Sequence, residues 1–412
     1  MVMKMNNRNQ SNNRRVVITG MGIMTGAGDN LEEFYSALTQ MKTGVKQSKI
    51  YDLEQLVSNK VGEIESISVY RPYEVDQKTR LLSILEHVLA EVLNDANLDK
   101  EMIMSLYDRC ILSMGTSVGL GEYRYEYVYK KKNEKKDLRY LFNSPRYIID
   151  FLRKHTGVIG GYHLNTSACA ASTAAACDAF SRIRNNKADI SLVIGVDPLS
   201  EFSLYGFNSM KNMTPEICKP FDINRGGITI GEGGAALIFE EYEHAKKRNA
   251  KIYAEVFGYG LGNDAYHITS PDPTGDGAYN TMRMAVNEAG IDLANINYIN
   301  AHGTGTILND DMELKAIRRL FRNENHNVYV NSIKSLVGHC LGAAGIVELI
   351  ATVLSVYNNV IFGTFNLDEC EEYHDNIIVT KENITEINVG YAISNSFAFA
   401  GNSASIVIGK VS

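Results

Sequence analysis

A strand that runs directly into a helix of small residues constrains this fold most. Residues 162–166 have the pattern of the end of a buried strand, and residues 170–184 predict a helix with small or apolar side chains on all sides. Cys169 lies at the junction, where free backbone N–H groups and the helix dipole favour a thiolate. We therefore expect its pKa to lie below the ~8.5 of a free thiol. The alternative is a buried structural cysteine.

The same arrangement occurs twice along the chain. One strand ends in Asn165-Thr166-Ser167 before Cys169, and another ends in Asn331-Ser332-Ile333 before a helix over residues 343–357. Strands alternate with helices in both halves, which predicts an α/β fold with layered sheets. At 412 residues the chain also exceeds the size of a usual single core. Together these features indicate two related halves.

Composition excludes several classes of protein. An apolar share of 45% and a charged share of 22% are typical of globular domains, and the net charge of −7 does not favour nucleic-acid binding. No run of about 18 apolar residues is evident, so we expect no membrane-spanning helix. Residues 1–14 are polar and predict a disordered leader rather than a signal peptide. The six cysteines lack CxxC spacing, which favours the cytoplasm and argues against a structural metal site.

The glycines near the start of the chain do not form a dinucleotide fingerprint. Gly20, Gly22 and Gly26 follow the strand predicted over residues 16–19, but their spacing is GxGxxxG and no acidic residue ends a second strand. We interpret them as a tight turn.

Two histidines follow strands in the second half. His302 lies in Asn-Ala-His-Gly-Thr-Gly-Thr, and His339 in Lys-Ser-Leu-Val-Gly-His-Cys-Leu-Gly. One histidine in such a turn is usually only a local hydrogen-bonding group. Two of them, together with Cys169, would supply a soft nucleophile and two donors to a developing oxyanion. Residues 394–401 could add a backbone N–H to the same site.

These motifs resemble the β-ketoacyl-acyl carrier protein synthases, most closely synthase II of type II fatty acid synthesis. The likeness runs from Val16 to Ile408 and includes Ser-Ala-Cys, both histidine motifs and Asn-Ser-Phe near the end. It implies a thiolase-like five-layered αβαβα fold, with residues 15–258 carrying the cysteine and residues 259–412 carrying the histidines. It also implies a homodimer, or a heterodimer with a related ketosynthase-like subunit.

The resemblance implies a decarboxylative Claisen condensation. Cys169 would take an acyl chain from acyl carrier protein, while His302 and His339 would assist decarboxylation of malonyl carrier protein and stabilise the enolate. The backbone N–H groups of Cys169 and Phe399 would form an oxyanion hole. No cofactor is implied beyond the phosphopantetheine of the carrier, and neither nucleic acid nor membrane is an expected partner.

Further residues receive roles only through this resemblance. Lys334 and Glu348 would form an ion pair behind the histidines, and Asp310 and Glu313 would be structural. The remaining assignments are Thr304 and Thr306 as supporting residues, Phe399 as the gate, Val118 and Phe399 at the acyl pocket, and Lys78, Lys130, Lys131 and Lys132 as carrier-docking residues.

Departures from the family pattern leave the pathway open. Ala398 and Ala400 replace glycines of the gate, and Ile228, Ile307 and Asn309 replace a Phe, a Pro and a Gly. The pathway is therefore either fatty acid elongation or a specialised polyketide or polyene route, in the latter case with a possible chain-length partner subunit.

Three other protein classes fit this sequence less well than an elongating condensing enzyme. A catalytically silent partner subunit would lack Cys169. A degradative thiolase would need a second cysteine within residues 394–405, where none occurs. An initiating synthase would pair one histidine with an asparagine.

Overall fold

The computed structural model describes residues 14–67, 79–119, 144–370 and 376–411. Its strands are β1 (Val16–Thr25), β2 (Val45–Gln47), β3 (Lys60–Gly62), β4 (Cys110–Gly115), β5 (Tyr162–Asn165), β6 (Ile190–Asp197), β7 (Gly233–Glu241), β8 (Ala254–Asn263), β9 (Ile296–Asn300), β10 (Val328–Asn331), β11 (Ile377–Val379), β12 (Tyr391–Phe397) and β13 (Asn402–Gly409). Its helices are α1 (Leu31–Thr39), α2 (Arg80–Asp95), α3 (Lys100–Ser105), α4 (Ser144–Thr156), α5 (Ala171–Arg184), α6 (Glu201–Ser209), α7 (Tyr242–Lys247), α8 (Asp276–Ala289), α9 (Ile307–Phe321), α10 (Lys334–Val337) and α11 (Ala344–Asn358).

The sheet topology repeats once. Strands of the first half lie in the order β5-β4-β6-β7-β1, and those of the second in the order β10-β9-β12-β13-β8, with β11 added beyond β10. Each set has two parallel pairings followed by two antiparallel ones. The two sets join where β1 pairs with β8 over three residues. The division that we placed after residue 258 therefore falls inside β8.

The eleven-stranded sheet folds into two layers, one for each set of strands, and these two sheet layers divide the core. Helices α5 and α11 lie between the sheets and contact each other and strands of both. One apolar cluster fills this central space, a second lies under α2 and α4, and a third lies under α8 and α9. This order of helix, sheet, helix, sheet and helix confirms the five-layered αβαβα architecture.

The most apolar helix of the described chain is part of this core. Residues Leu341–Asn358 are long and apolar enough to cross a membrane by length and composition, so our expectation that the sequence holds no such run is wrong. In the structure 89% of the segment is buried inside the fold. The reason is its central position, because a helix covered by sheets on two sides needs no polar face.

The turn predicted at the first glycines is wrong for Gly20 and Gly22. Both lie inside β1, which continues to Thr25 with a register shift between Ile18 and Gly20. A Cβ on Gly22 would lie 2.5 Å from the carbonyl oxygen of Val88 in α2, so these two glycines let α2 approach the strand closely. The chain turns only at Gly26, where the backbone groups of Thr25 and Gly28 bond each other.

The predicted leader lies outside the described residues except for its last position. Arg14 is fixed, because its guanidinium donates to the carbonyl oxygen of Ala188 at 2.7 Å and pairs with Asp189.

Candidate active site

Cys169 lies in a strained turn between β5 and α5. The strand ends at Asn165, whose side-chain oxygen accepts a hydrogen bond from the backbone N–H of Ser167 at 2.9 Å. Ala168 then takes the left-handed conformation with φ of 50°, which is uncommon for a residue with a Cβ. Such strain persists only where surrounding contacts impose it. The turn fixes Cys169, which is 7% exposed, at the start of the central helix.

The second half repeats this turn without a nucleophile. Leu341 has φ of 51°, and Gly342 stands where Cys169 stands in the first turn. A Cβ on Gly342 would lie 2.5 Å from the backbone nitrogen of Ser117. Because the two turns pack against each other, the duplicated fold brings one thiol and one glycine to a shared centre.

Two buried imidazoles face each other at this centre. The ring centroids of His302 and His339 are 5.4 Å apart, with an interplanar angle of 82°. The backbone N–H of Leu341 donates to His339 Nδ1 at 3.2 Å, and Lys334 Nζ lies 3.2 Å from His302 Nδ1. Both Nδ1 atoms thus face donors, which assigns the proton of each ring to Nε2.

Both histidines are held neutral. Burial and the charge of Lys334 lower the pKa of His302 and that of His339 well below 6.5. The neighbouring His339 lowers the pKa of His302 further. Neutral rings with the proton on Nε2 can donate two hydrogen bonds to one oxygen atom that gains negative charge.

Lys334 contacts His302 and forms a buried ion pair with Glu348. Its ammonium pairs with Glu348 and donates to the carbonyl oxygen of His302, and both charged side chains are about 1% exposed. Burial raises the pKa of Glu348 to about 7, with Lys334 acting in the opposite direction. The ion pair expected from the resemblance is therefore present.

Two carboxylates brace the His302 loop. Glu313 accepts hydrogen bonds from the backbone N–H groups of His302 and Gly303, both at 2.9 Å. Asp310 accepts one from the N–H of Thr304 at 2.9 Å, and burial raises its pKa. Burial raises the pKa of Glu313 to about 7. Both carboxylates serve the loop backbone, as expected for structural residues.

The cysteine and both histidines open onto one cavity of about 220 Å³. Thr304 and Thr306 also line it, and their hydroxyl oxygens are 2.9 Å apart. Phe399 closes one side and stacks on Phe207, with centroids 5.6 Å apart.

The gate loop beside the cavity is strained. Ala400 has φ of 60°, and its N–H donates to the carbonyl oxygen of Ile268 at 2.7 Å. The alanine that replaces a glycine thus keeps the left-handed conformation that a glycine adopts more readily.

The expected lowering of the thiol pKa is wrong. Burial raises the pKa of Cys169 to about 12, and the nearby charge of Lys334 offsets only part of that effect. The helix-terminus argument assumed a partly exposed thiol, whereas this sulfur is enclosed by the two halves. The resting group is a neutral thiol.

Two further predictions concerned the acyl pocket and the carrier-docking site. Val118 does not line the cavity; it packs against an apolar cluster that includes Ile228 and Leu341. The four docking residues Lys78, Lys130, Lys131 and Lys132 lie outside the described residues.

The sequence analysis missed Phe207, Lys211 and Asp197. Phe207 and Lys211 line the cavity, and Asp197 binds the loop that carries Val118. Asp197 could have been noticed as the one charge that ends the apolar run over residues 190–196.

A fold made of two repeated α/β halves, with one thiol and two neutral imidazoles where they meet, defines a thiolase-like condensing enzyme. The family models agree with this class: residues 13–245 match the β-ketoacyl synthase N-terminal domain, and residues 253–368 match the C-terminal domain. The chain belongs to the β-ketoacyl synthase family.

Individual relatives cover nearly the whole chain. The 3-oxoacyl-[acyl-carrier-protein] synthase 2 of Staphylococcus aureus is 31% identical, over 97% of this chain and 99% of its own length. Among solved structures, a type II PKS acyl-carrier protein in complex with its ketosynthase matches with a TM-score of 0.87 at 28% identity, covering 97% of this chain and all of the matched one. The ishigamide ketosynthase/chain length factor matches with a TM-score of 0.85 at 29% identity and the same coverage.

Proposed function

We propose that this protein is a β-ketoacyl-acyl carrier protein synthase that joins a malonyl unit to an acyl chain held on Cys169. The observation that carries the proposal is the meeting of one thiol and two Nε2–H donors in a single cavity. The synthase 2 relative supports the reaction class, since its name states the same activity.

The first half-reaction transfers an acyl group. The Cys169 sulfur attacks the thioester carbonyl of the acyl carrier, the bond to the carrier sulfur breaks, and the thiol proton ends on the released phosphopantetheine. Because the thiol is neutral at rest, it loses this proton as the bond forms. The backbone N–H groups of Cys169 and Phe399 are the donors proposed for the tetrahedral oxyanion.

The second half-reaction forms the carbon–carbon bond. The malonyl thioester loses CO₂, and its carbonyl oxygen becomes an enolate that accepts hydrogen bonds from Nε2 of His302 and of His339. The enolate carbon then attacks the acyl-Cys169 carbonyl, and the C–S bond breaks. The released Cys169 thiolate takes up one proton, for which its high pKa provides a strong driving force.

Mass spectrometry of the protein incubated with acyl carrier proteins tests this proposal. We expect an acyl adduct on Cys169, a β-ketoacyl product after malonyl carrier protein is added, and neither with Cys169→Ala. Cys177→Ala is the matched control, because that buried cysteine lies in the same central helix. An unchanged turnover by Cys169→Ala would contradict the proposal.

The pathway has two candidates. The synthase 2 relative favours fatty acid elongation, and the type II PKS ketosynthase structure favours a specialised type II route. Loading of saturated chains followed by extension would support elongation. Loading restricted to unsaturated or oxygenated chains would support the specialised route.

We further propose that the substrate arrives on an acidic carrier protein and that the chain needs no other cofactor. The similar structure with a bound acyl-carrier protein supports delivery of the substrate by a carrier. Lys211 is the only Lys or Arg among the described residues that line the cavity, and it is exposed. It is therefore a docking candidate beside the four lysines predicted from sequence.

A dimer is proposed through strand β5. Among the strands that the structure describes, β5 ends the sheet of the first half, and its Tyr162 is 48% exposed next to Ile159 at 54%. An unpaired edge strand with apolar neighbours can pair with a second chain. The partner is either a second copy or, as the chain length factor structure suggests, a related subunit. We also propose that the enzyme acts in the cytoplasm, as its cysteine pattern favours.

A further inference from the structure

Asp197 is a buried carboxylate that binds backbone groups of both halves of the molecule. It ends β6 and is fully buried. Among the described residues it has no ion pair with Lys, Arg or His. An ionised carboxylate in such a place is costly unless hydrogen bonds replace its water.

Those hydrogen bonds come from two separate segments. In the loop after β4, Asp197 accepts from the Thr116 hydroxyl at 2.6 Å and from the N–H groups of Ser117 at 2.7 Å, Val118 at 2.9 Å and Gly119 at 3.3 Å. From the turn before α11 it accepts the N–H of Gly342 at 2.7 Å. The carboxylate thus fixes the loop of the first half against the turn of the second.

Both segments contribute a side chain to one apolar cluster. Val118 of the loop and Leu341 of the turn pack there with Ile228. Ile228 and Phe207, which also packs against this cluster, line the cavity that holds Cys169. The cluster therefore borders the cavity at Cys169 through Ile228 and Phe207, with Val118 and Leu341 packed behind them.

We propose that Asp197 is a positioning residue that sets the wall of the acyl pocket and thereby the chain length the enzyme accepts. It does so by keeping Val118 and Leu341 at a fixed separation. The inference rests on the proposed function, because it requires that Cys169 carry an acyl chain.

The substitution Asp197→Asn isolates this role. One carboxylate oxygen accepts from Thr116, Val118 and Gly119, and the other accepts from Ser117 and Gly342. An amide keeps the volume but replaces one oxygen by an NH₂ group that faces N–H donors in either orientation. The loop or the turn must then move away.

The experiment measures acyl loading of Cys169 from carrier proteins that bear saturated chains of increasing length. For Asp197→Asn we expect the ratio of kcat/KM between the longest and shortest chains to change about tenfold, as for the loss of a hydrogen bond to a charged group. Thr116→Val, which removes one of the five donors, should shift the ratio in the same direction by less. Asp189→Asn is the control, because that aspartate precedes the other end of β6 and pairs with Arg109.

The possible outcomes separate the two proposals. If the wild-type protein loads no acyl chain, the proposed function fails. If the wild type loads and both variants keep its length profile, or lose rate equally at all lengths, the function stands and the role of Asp197 is overturned. If Asp197→Asn does not fold, Thr116→Val decides by the same criterion.

Discussion

At the scale of single residues, the thiol of Cys169 is buried deeply enough to stay protonated. Its pKa of about 12 predicts that alkylation by iodoacetamide accelerates steadily as the pH rises through the neutral and mildly alkaline range, because the thiolate fraction grows tenfold per pH unit below the pKa. The modification of Cys169 can be followed by mass spectrometry of its peptide. A plateau beginning below pH 8.5 would restore the helix-terminus interpretation.

Lys334 is expected to support decarboxylation of malonyl carrier protein more than acyl transfer to Cys169. Replacing it by Met removes the ammonium beside His302 Nδ1 and leaves Glu348 buried without its partner. We expect decarboxylation of malonyl carrier protein to fall about 10²-fold, since the imidazole loses its fixed tautomer. Acyl loading of Cys169 should fall much less. The control is Lys219→Met, which breaks an ion pair with Asp368 nearer the surface; equal losses in both half-reactions would contradict this role.

At the scale of elements, the contact between β1 and α2 depends on a missing side chain. Gly22→Ala would place a Cβ 2.5 Å from the Val88 carbonyl oxygen, so helix and strand must separate. We expect the free energy of unfolding to fall by about 1–3 kcal/mol, measured by urea denaturation. Gly161→Ala is the matched control, because a Cβ there meets no atom within 4 Å. Equal stability of the two variants would show that α2 can shift freely.

At the scale of the whole molecule, two surfaces are expected to bind other proteins. Tyr162→Lys should weaken the proposed dimer by placing a charge beside the edge strand β5, and light scattering after gel filtration would show a smaller particle. Arg146→Glu, a substitution of an exposed α4 residue paired with Asp150, tests whether a change of surface charge away from β5 has the same effect. If light scattering gave the mass of one chain for the wild-type protein, the proposed dimer would be excluded.

The proposed docking of the carrier protein at Lys211 gives a second prediction at this scale. Lys211→Glu should raise the KM for carrier-bound substrate several-fold, more strongly at low salt, and leave hydrolysis of small thioesters unchanged. Lys187→Glu reverses the charge of an exposed lysine that does not line the cavity and should change neither. An unchanged carrier KM for the Lys211 variant would mean that the carrier docks elsewhere.

The sequence by itself predicted the alternation of strands and helices in both halves, the duplication and the three reactive groups, because local periodicity and motif spacing encode them. It also predicted the partnership of Lys334 and Glu348 through the family resemblance. It could not determine the protonation of Cys169, since the helix dipole is a local property whereas burial depends on both halves closing over the sulfur. Only the tertiary structure decided that Gly20 and Gly22 serve helix packing, that the apolar segment ending at Asn358 is a central helix, and that Asp197 binds a turn 145 residues further along the chain. Each of these depends on contacts between segments that are distant in the chain, and such contacts leave no local pattern.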